Sequence, residues 1–190
     1  MDDLVVAGGD LSIRRLRPVD EDLQLLVRWR SAPHVRPWWD PDLPPLDLEG
    51  ARDEYLPDLG PDSTTTLCII EQGGAPIGFV QFYRWADEAA AAEEVGIPFD
   101  EATWGIDVMI GEERLVDRGL GSAAVALLCD HLAAVRGATA VVLTTDVENG
   151  RAIRSYEKAG FERRGRVLDT DTKDGERVPS WLMVRETRGG

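Results

Sequence analysis

A chain of 190 residues with 21 Lys and Arg against 35 Asp and Glu carries a formal net charge of −14, which argues against the clustered basic surface that nucleic-acid binding requires. Its 43% apolar content supports one folded domain, taken as 1–190 with a core over about 10–187. No apolar run approaches the roughly 20 residues needed to cross a bilayer, whereas the acidity can steer a cationic ligand toward the protein.

Asp2 and Asp3, with no apolar run behind them, give residues 1–10 no secretory signal. Residues 11–16 alternate as a first strand that Pro18 ends. Asp20 can cap a helix carrying Leu23, Leu26 and Val27, which stops at Ser31-Ala32-Pro33. The proline-rich stretch around Trp38 and Trp39 breaks regular structure, and a short helix is expected over 47–58. Residues 64–71 and 76–83, joined by Gln72-Gly73-Gly74-Ala75, read as a hairpin. Residues 86–101 hold Asp87, Glu88, Glu93, Glu94, Asp100 and Glu101 without a Lys or Arg, and are expected to form an acidic loop. A strand follows at 103–110, an apolar helix at 119–134, a strand at 140–144 and a helix at 150–158. Strand 161–169, a turn at 170–175 and a closing strand at 178–186 complete the order β-α-α-β-β-β-α-β-α-β-β. That order gives an α/β (α+β) class fold with helices packed on a mixed sheet. Cys68 and Cys129 sit in apolar runs and read as buried free thiols, which suits a reducing, cytoplasmic location. His34 and His131 form no Cys/His cluster with ligand spacing, so no metal is expected.

Two stretches carry chemistry. In Val116-Asp117-Arg118-Gly119-Leu120-Gly121, alternate glycines let the backbone approach a ligand where a helix begins. The free N–H groups and the helix dipole there suit an anion, and Arg118 can add a charged fork. The stretch lacks the Lys-Ser/Thr ending of a nucleotide P-loop, so a pyrophosphate without its own magnesium is the natural ligand. In Asn149-Gly150-Arg151-Ala152-Ile153-Arg154-Ser155-Tyr156-Glu157-Lys158-Ala159-Gly160-Phe161, Asn149 can cap a helix and Gly160 can end it. Tyr156 is then either a core aromatic or a hydroxyl aimed over the sheet.

Together the Arg-Gly-Leu-Gly segment at 118–121 and residues 149–161 resemble the acyl-CoA-binding halves of the GNAT N-acetyltransferase superfamily. Val116 departs from the Gln or Arg that many members place at the start of the loop. The resemblance implies the GNAT acyl-CoA N-acyltransferase fold, a central mixed sheet with splayed strands flanked by helices. It also implies direct transfer from acetyl-CoA in a ternary complex. The backbone of Ile106, Val108, Met109 and Ile110 would pair with the pantetheine arm. Asp117, Arg118, Gly119, Leu120, Gly121 and Ser122 would hold the pyrophosphate, and Asn149 would contact the cofactor arm. Tyr156 matches the position that protonates the departing thiolate, and an ordinary pKa near 10 suits it to donate at neutral pH.

The segments 34–39, Trp104-Gly105-Ile106-Asp107 and 151–161 resemble more narrowly the aminoglycoside 6'-N-acetyltransferase group. They are also similar to acyltransferases that modify hydroxylysine for siderophores. A small cationic amine is therefore the expected partner, with Trp38, Trp39, Trp104, Asp107 and Asp146 facing it and Asp107 as base or substrate anchor. An unperturbed Asp is a poor base for an amine, so it needs a raised pKa or a water relay. Helix-start capping is the other reading of Asp146. A ribosomal-protein acetyltransferase and a non-catalytic acyl-CoA-binding protein stand as further alternatives, in monomer or homodimer form.

Overall fold

In a computed structural model, which describes residues 3–87 and 101–187, eight strands form one sheet in the order β1-β2-β3-β4-β5-β6-β8-β7. The strands are β1 (Leu4–Gly8), β2 (Leu11–Arg15), β3 (Thr65–Gln72), β4 (Ala75–Arg84), β5 (Thr103–Ile110), β6 (Ala140–Asp146), β7 (Glu162–Lys173) and β8 (Glu176–Glu186). The helices are α1 (Asp20–Arg30), α2 (Leu48–Tyr55), α3 (Leu120–Arg136) and α4 (Gly150–Lys158). This is the mixed sheet flanked by helices that the order of elements implies. Strand β1 is an addition: it pairs antiparallel with β2, and its five residues, flanked by Asp2-Asp3 and Gly9-Asp10, are too short for a periodicity to register.

The chain ends its helices largely as its residues dictate. Asp47 caps α2 by accepting from the Gly50 N–H at 2.8 Å, and Asn149 caps α4 by accepting from Ala152 at 3.1 Å. Gly160, at φ +91°, terminates α4. Helix α1 differs from expectation. Its N-cap is Val19, with no side-chain cap, so Asp20 is the first helical residue and complements the dipole instead.

Asp22, buried in the first turn of α1, accepts from both Arg14 nitrogens at 2.6 and 3.0 Å and from the Arg17 backbone and side chain. Burial alone would raise its carboxyl, but the Arg17 and Arg14 hydrogen bonds outweigh it and hold the pKa at about 2. A carboxylate depressed on folding adds stability above its unfolded pKa and loses that stability as pH falls through the folded one. We expect a loss on the order of 2 kcal/mol between about pH 4 and pH 2. Chemical denaturation across that window should show the loss, and Asp22→Asn should abolish this part of the acid dependence.

Helices α3 and α4 cover one face of the sheet, where Ile106, Val125, Leu128 and Tyr156 share a core. Helix α1 and the residues around α2 cover the other face, with Leu23, Leu26, Trp29, Phe79 and Met109 packed together. Both cysteines are buried and free, and burial pushes each thiol up to about 12.

Among the described residues the only parallel neighbours, β5 and β6, pair through just Thr103–Ala140, Trp104–Val141 and Gly105–Val142. Beyond that point β5 stays bonded to β4 as far as Ile110, while β6 stays bonded to β8 as far as Asp146. The sheet therefore splits into a wedge in which β5 has no β6 partner from Ile106 onward. At the far edge, the turn expected over 170–175 narrows to Asp174-Gly175. Both residues take positive φ, 57° and 76°, so two residues suffice to reverse the chain. Asp42 accepts from both of their N–H groups, at 2.7 and 2.8 Å, and so fastens this turn to the loop that carries Trp38 and Trp39. Of the acidic stretch at 86–101, residues 88–100 lie outside the described residues.

Candidate active site

The wedge opens into a cavity of about 530 Å³ whose walls come from both sheet faces, the loop at 34–41 and the β7–β8 hairpin. Ile106, Asp107, Val108, Met109 and Ile110 form the β5 wall. Asp117, Gly119, Gly121 and Ser122 stand at the start of α3, and Asn149, Ser155 and Tyr156 come from the α4 side. Arg118 and Leu120 do not line the cavity. Arg118 is exposed beside it, and Leu120 packs against the core.

The glycine stretch makes a tight turn at the head of α3. Asp117 and Gly119 take φ of 62° and 79°, which turns the chain sharply into α3. Gly119 caps α3 without any side-chain hydrogen bond, so no capping side chain competes for the N–H groups of the first turn. With Val116 at the loop's start, what this turn presents to the cavity is chiefly the backbone N–H groups at the head of α3.

Tyr156 is buried, and its ring sits 6.0 Å from that of Phe161, so the residue is core aromatic and cavity wall at once. Burial, with the charge of Asp107 adding to it, pushes its hydroxyl well above the ordinary tyrosine value. This corrects the expectation of an ordinary pKa. The phenol stays protonated and donating at every working pH, but it is a weaker acid than an exposed tyrosine.

Asp107 stands on β5 opposite Gln81 of β4, whose amide donates to Asp107 Oδ2 at 2.9 Å. This pairing fixes the carboxylate's orientation. Beside it, Gly105 leaves room for the Tyr83 ring: a Cβ there would lie 2.3 Å from Tyr83 Cε2. Asp146 divides its two oxygens, as its position at a strand end allows. Oδ1 accepts from the Glu148 N–H at 2.8 Å and builds the turn, while Oδ2 faces Lys173 at 3.8 Å.

The two tryptophans of the loop separate in role. Trp39 packs edge-on against Phe79 with ring centroids 5.9 Å apart, anchoring the loop, whereas Trp38 lies under the Lys173 ammonium. Trp104 is not brought to the cavity. It is buried in the α3-side core, tilted against Phe82 with Arg136 over its ring. Its place along β5 explains this: Trp104 still pairs with Val141 of β6, whereas Ile106, on the same strand face, lies past the last β5–β6 pair and reaches the cavity.

Several cavity residues carried no sequence signal. Gln81 reaches Asp107, and Tyr83 packs on Gly105, only through strand pairing. Arg30, buried at the end of α1, donates to Asp40 at 2.8 Å, to Glu54 at 2.6 Å and to the Tyr55 hydroxyl at 3.0 Å. Asp40, Glu54 and Tyr55 all line the cavity. Burial raises the Asp40 carboxyl despite the Arg30 charge. His34 Nε2 lies 2.9 Å from the Ile110 carbonyl, which can only accept, so the proton sits on Nε2. Among the described residues no group of His, Cys, Asp and Glu could hold a metal ion.

A sequence profile described as Acetyltransferase (GNAT) domain matches residues 18–168. The chain is 29% identical over 188 residues to an aminoglycoside N(6')-acetyltransferase type 1 from Klebsiella pneumoniae, a match covering 95% of this chain and 86% of that protein. It is also similar to a solved aminoglycoside acetyltransferase in complex with paromomycin and acetyl-CoA, with a TM-score of 0.81, 28% identity, and coverage of 95% and 96%. A structure of an aminoglycoside acetyltransferase with coenzyme A and kanamycin superposes with a TM-score of 0.79 at 28% identity, covering 94% and 96%.

Proposed function

From the premise that the chain belongs to the GNAT acetyltransferase family, we propose that it moves the acetyl group of acetyl-CoA to the 6'-amine of an aminoglycoside or a closely similar polycationic amine. The observation that carries this reading is the wedge between β5 and β6. On its two sides stand a carboxylate, Asp107, and a buried phenol, Tyr156, close enough for the charge of one to raise the proton affinity of the other.

The reaction needs an unprotonated amine, a polarised thioester carbonyl and a stabilised thiolate. The first turn of α3 holds the pyrophosphate and the open edge of β5 pairs with the pantetheine arm, which sets the thioester beside Asp107. Asp107, Asp146 and the carboxylates near Asp40 collect the acceptor's ammonium groups. Asp107 takes a proton from the reacting amine, directly or through water. The amine nitrogen then bonds to the carbonyl carbon as the carbon–sulfur bond breaks, and the β5 N–H groups face the developing oxyanion. The Tyr156 hydroxyl donates to the leaving sulfur and passes it a proton, and the second proton shed by the acetylated nitrogen restores the phenol. The same burial that weakens the phenol as an acid also raises the proton affinity of a thiolate formed beside it.

We expect Tyr156→Phe to lower kcat by about 10²-fold while KM for both substrates changes little, because the ring packing remains and only the donor is lost. The raised hydroxyl predicts that wild-type kcat shows no basic limb from tyrosine ionisation up to about pH 10. Steady-state profiles of both proteins check this, and equal turnover would remove the donor role.

The function itself is tested by coenzyme A release with an aminoglycoside panel and N6-hydroxylysine, followed by mass identification of the product. A singly acetylated aminoglycoside is the expected result. Preference for N6-hydroxylysine would replace this reading with the siderophore-type one.

A further inference from the structure

Lysine is used only twice in this chain, at Lys158 and Lys173; every other basic side chain is arginine. Both lysines line the cavity. Lys173 places its ammonium 3.5 Å from Glu148 Oε2 and 3.8 Å from Asp146 Oδ2, and 5.3 Å from the centre of the Trp38 ring. Two carboxylates and an aromatic face are the surroundings that an alkylammonium ion selects. We propose that Lys173 is a tethered cation occupying one ammonium subsite of the acceptor pocket, so that it sets which acceptors the enzyme prefers. The inference rests on the reading of function given above and identifies a specificity-determining residue within it.

The geometry gives this lysine a fixed base and a movable head. Its backbone precedes the Asp174-Gly175 turn, which Asp42 clamps to the Trp38 loop through two hydrogen bonds. Its side chain remains 35% exposed, and its contacts are long for ion pairs, so displacing the ammonium costs little. A cation there also relieves repulsion within the acidic wall. Asp107, Asp146 and Asp169 all line the cavity, and Glu148 stands at its rim, 73% exposed. With Lys173 in place, an acceptor bearing few amines binds the other cavity carboxylates without displacing the lysine. An acceptor bearing many amines binds fully only after pushing Lys173 toward solvent. Arginine could not serve in this way as well, because its planar fork is bulkier and bridges carboxylates more persistently.

The test compares wild type, Lys173→Met and Lys173→Arg, with Arg164→Ala as a control that removes a positive charge from the same strand outside the cavity. Putrescine, spermidine, spermine and kanamycin supply acceptors of graded charge, at saturating acetyl-CoA. For Lys173→Met we expect KM to fall about five- to tenfold for spermine and kanamycin and less than twofold for putrescine, with kcat unchanged within about twofold. Lys173→Arg should not reproduce the fall. A parallel arm measures spermine binding by calorimetry without acetyl-CoA, where Lys173→Met should bind tighter by the same factor. Equal spermine affinities in Lys173→Met and wild type, or an equal gain in Arg164→Ala, would overturn the inference. Failure of the wild-type protein to acetylate any amine would instead overturn the reading of function, and the calorimetric comparison would still decide whether Lys173 holds an ammonium subsite.

Discussion

Asp107→Asn is expected to lower kcat/KM for every cationic acceptor by about 10²- to 10³-fold, the range that loss of a positioned general base produces. The substitution keeps the size of the side chain and can still hydrogen-bond to Gln81, so the β4–β5 pairing survives. What it removes is the charge that orients the ammonium and receives its proton. Because one carboxylate must meet one amine, the loss should persist at high salt, where long-range steering is screened. Raising the pH should recover part of the activity, since more acceptor then arrives as the free amine. The variant should also relax the Tyr156 hydroxyl toward its ordinary value, because the Asp107 charge contributes to its elevation. Unchanged acetylation of all active acceptors, in a variant with wild-type acetyl-CoA affinity, would assign the base to another group in the cavity.

Gly121→Val is expected to weaken acetyl-CoA binding by at least about 10²-fold, since the loss falls on close backbone approach rather than on one contact. A Cβ at this position would already lie 3.3 Å from Ser155 Oγ and 3.5 Å from Ile110 Cγ1. The two further methyls of valine then have to occupy the mouth of the wedge, where α3, α4 and the end of β5 converge. Misfolding is a weak competitor for the explanation. Gly121 lies in the first turn of α3, where most side chains favour helix over glycine by up to about 1 kcal/mol. Gly121→Ala therefore serves as the graded case, with a fall of about fivefold in affinity and an unchanged or slightly raised Tm. Calorimetry on both variants, with thermal unfolding alongside, checks the pair. A folded Gly121→Val with wild-type affinity would move the pyrophosphate away from residues 117–122.

Much of this molecule is present in local signals, because those signals depend on residues close in sequence. The Asn149 cap, the Gly160 stop and the apolar periodicity of α3 are each decided within one or two helical turns. The glycine stretch at 119–121 specifies a backbone conformation that few other residues tolerate, and so its place at the head of a helix can be read directly. The same locality accounts for the misses. Strand β1 becomes a strand by pairing with β2, and the Asp174-Gly175 turn tightens because Asp42, far away in the chain, accepts its N–H groups.

Residue types and order along the chain thus determined the class of fold, the glycine turn at the head of α3 and the aspartate and tyrosine that line the wedge. Tertiary structure alone decided which tryptophans face the cavity. Trp38, Trp39 and Trp104 are alike in composition terms, yet Trp104 is buried where β5 still pairs with β6, while Trp38 and Trp39 both line the cavity, Trp39 packed on Phe79 and Trp38 against the Lys173 ammonium. It also decided the electrostatics. The proton affinity of Tyr156 is set by burial and by Asp107, a residue on a different element, and Arg30 reaches Asp40 and Glu54 only once α1 and α2 have packed together. Conformational preference acts over a few residues and can be read along the chain, whereas burial and charge act through space and exist only once the chain has closed on itself.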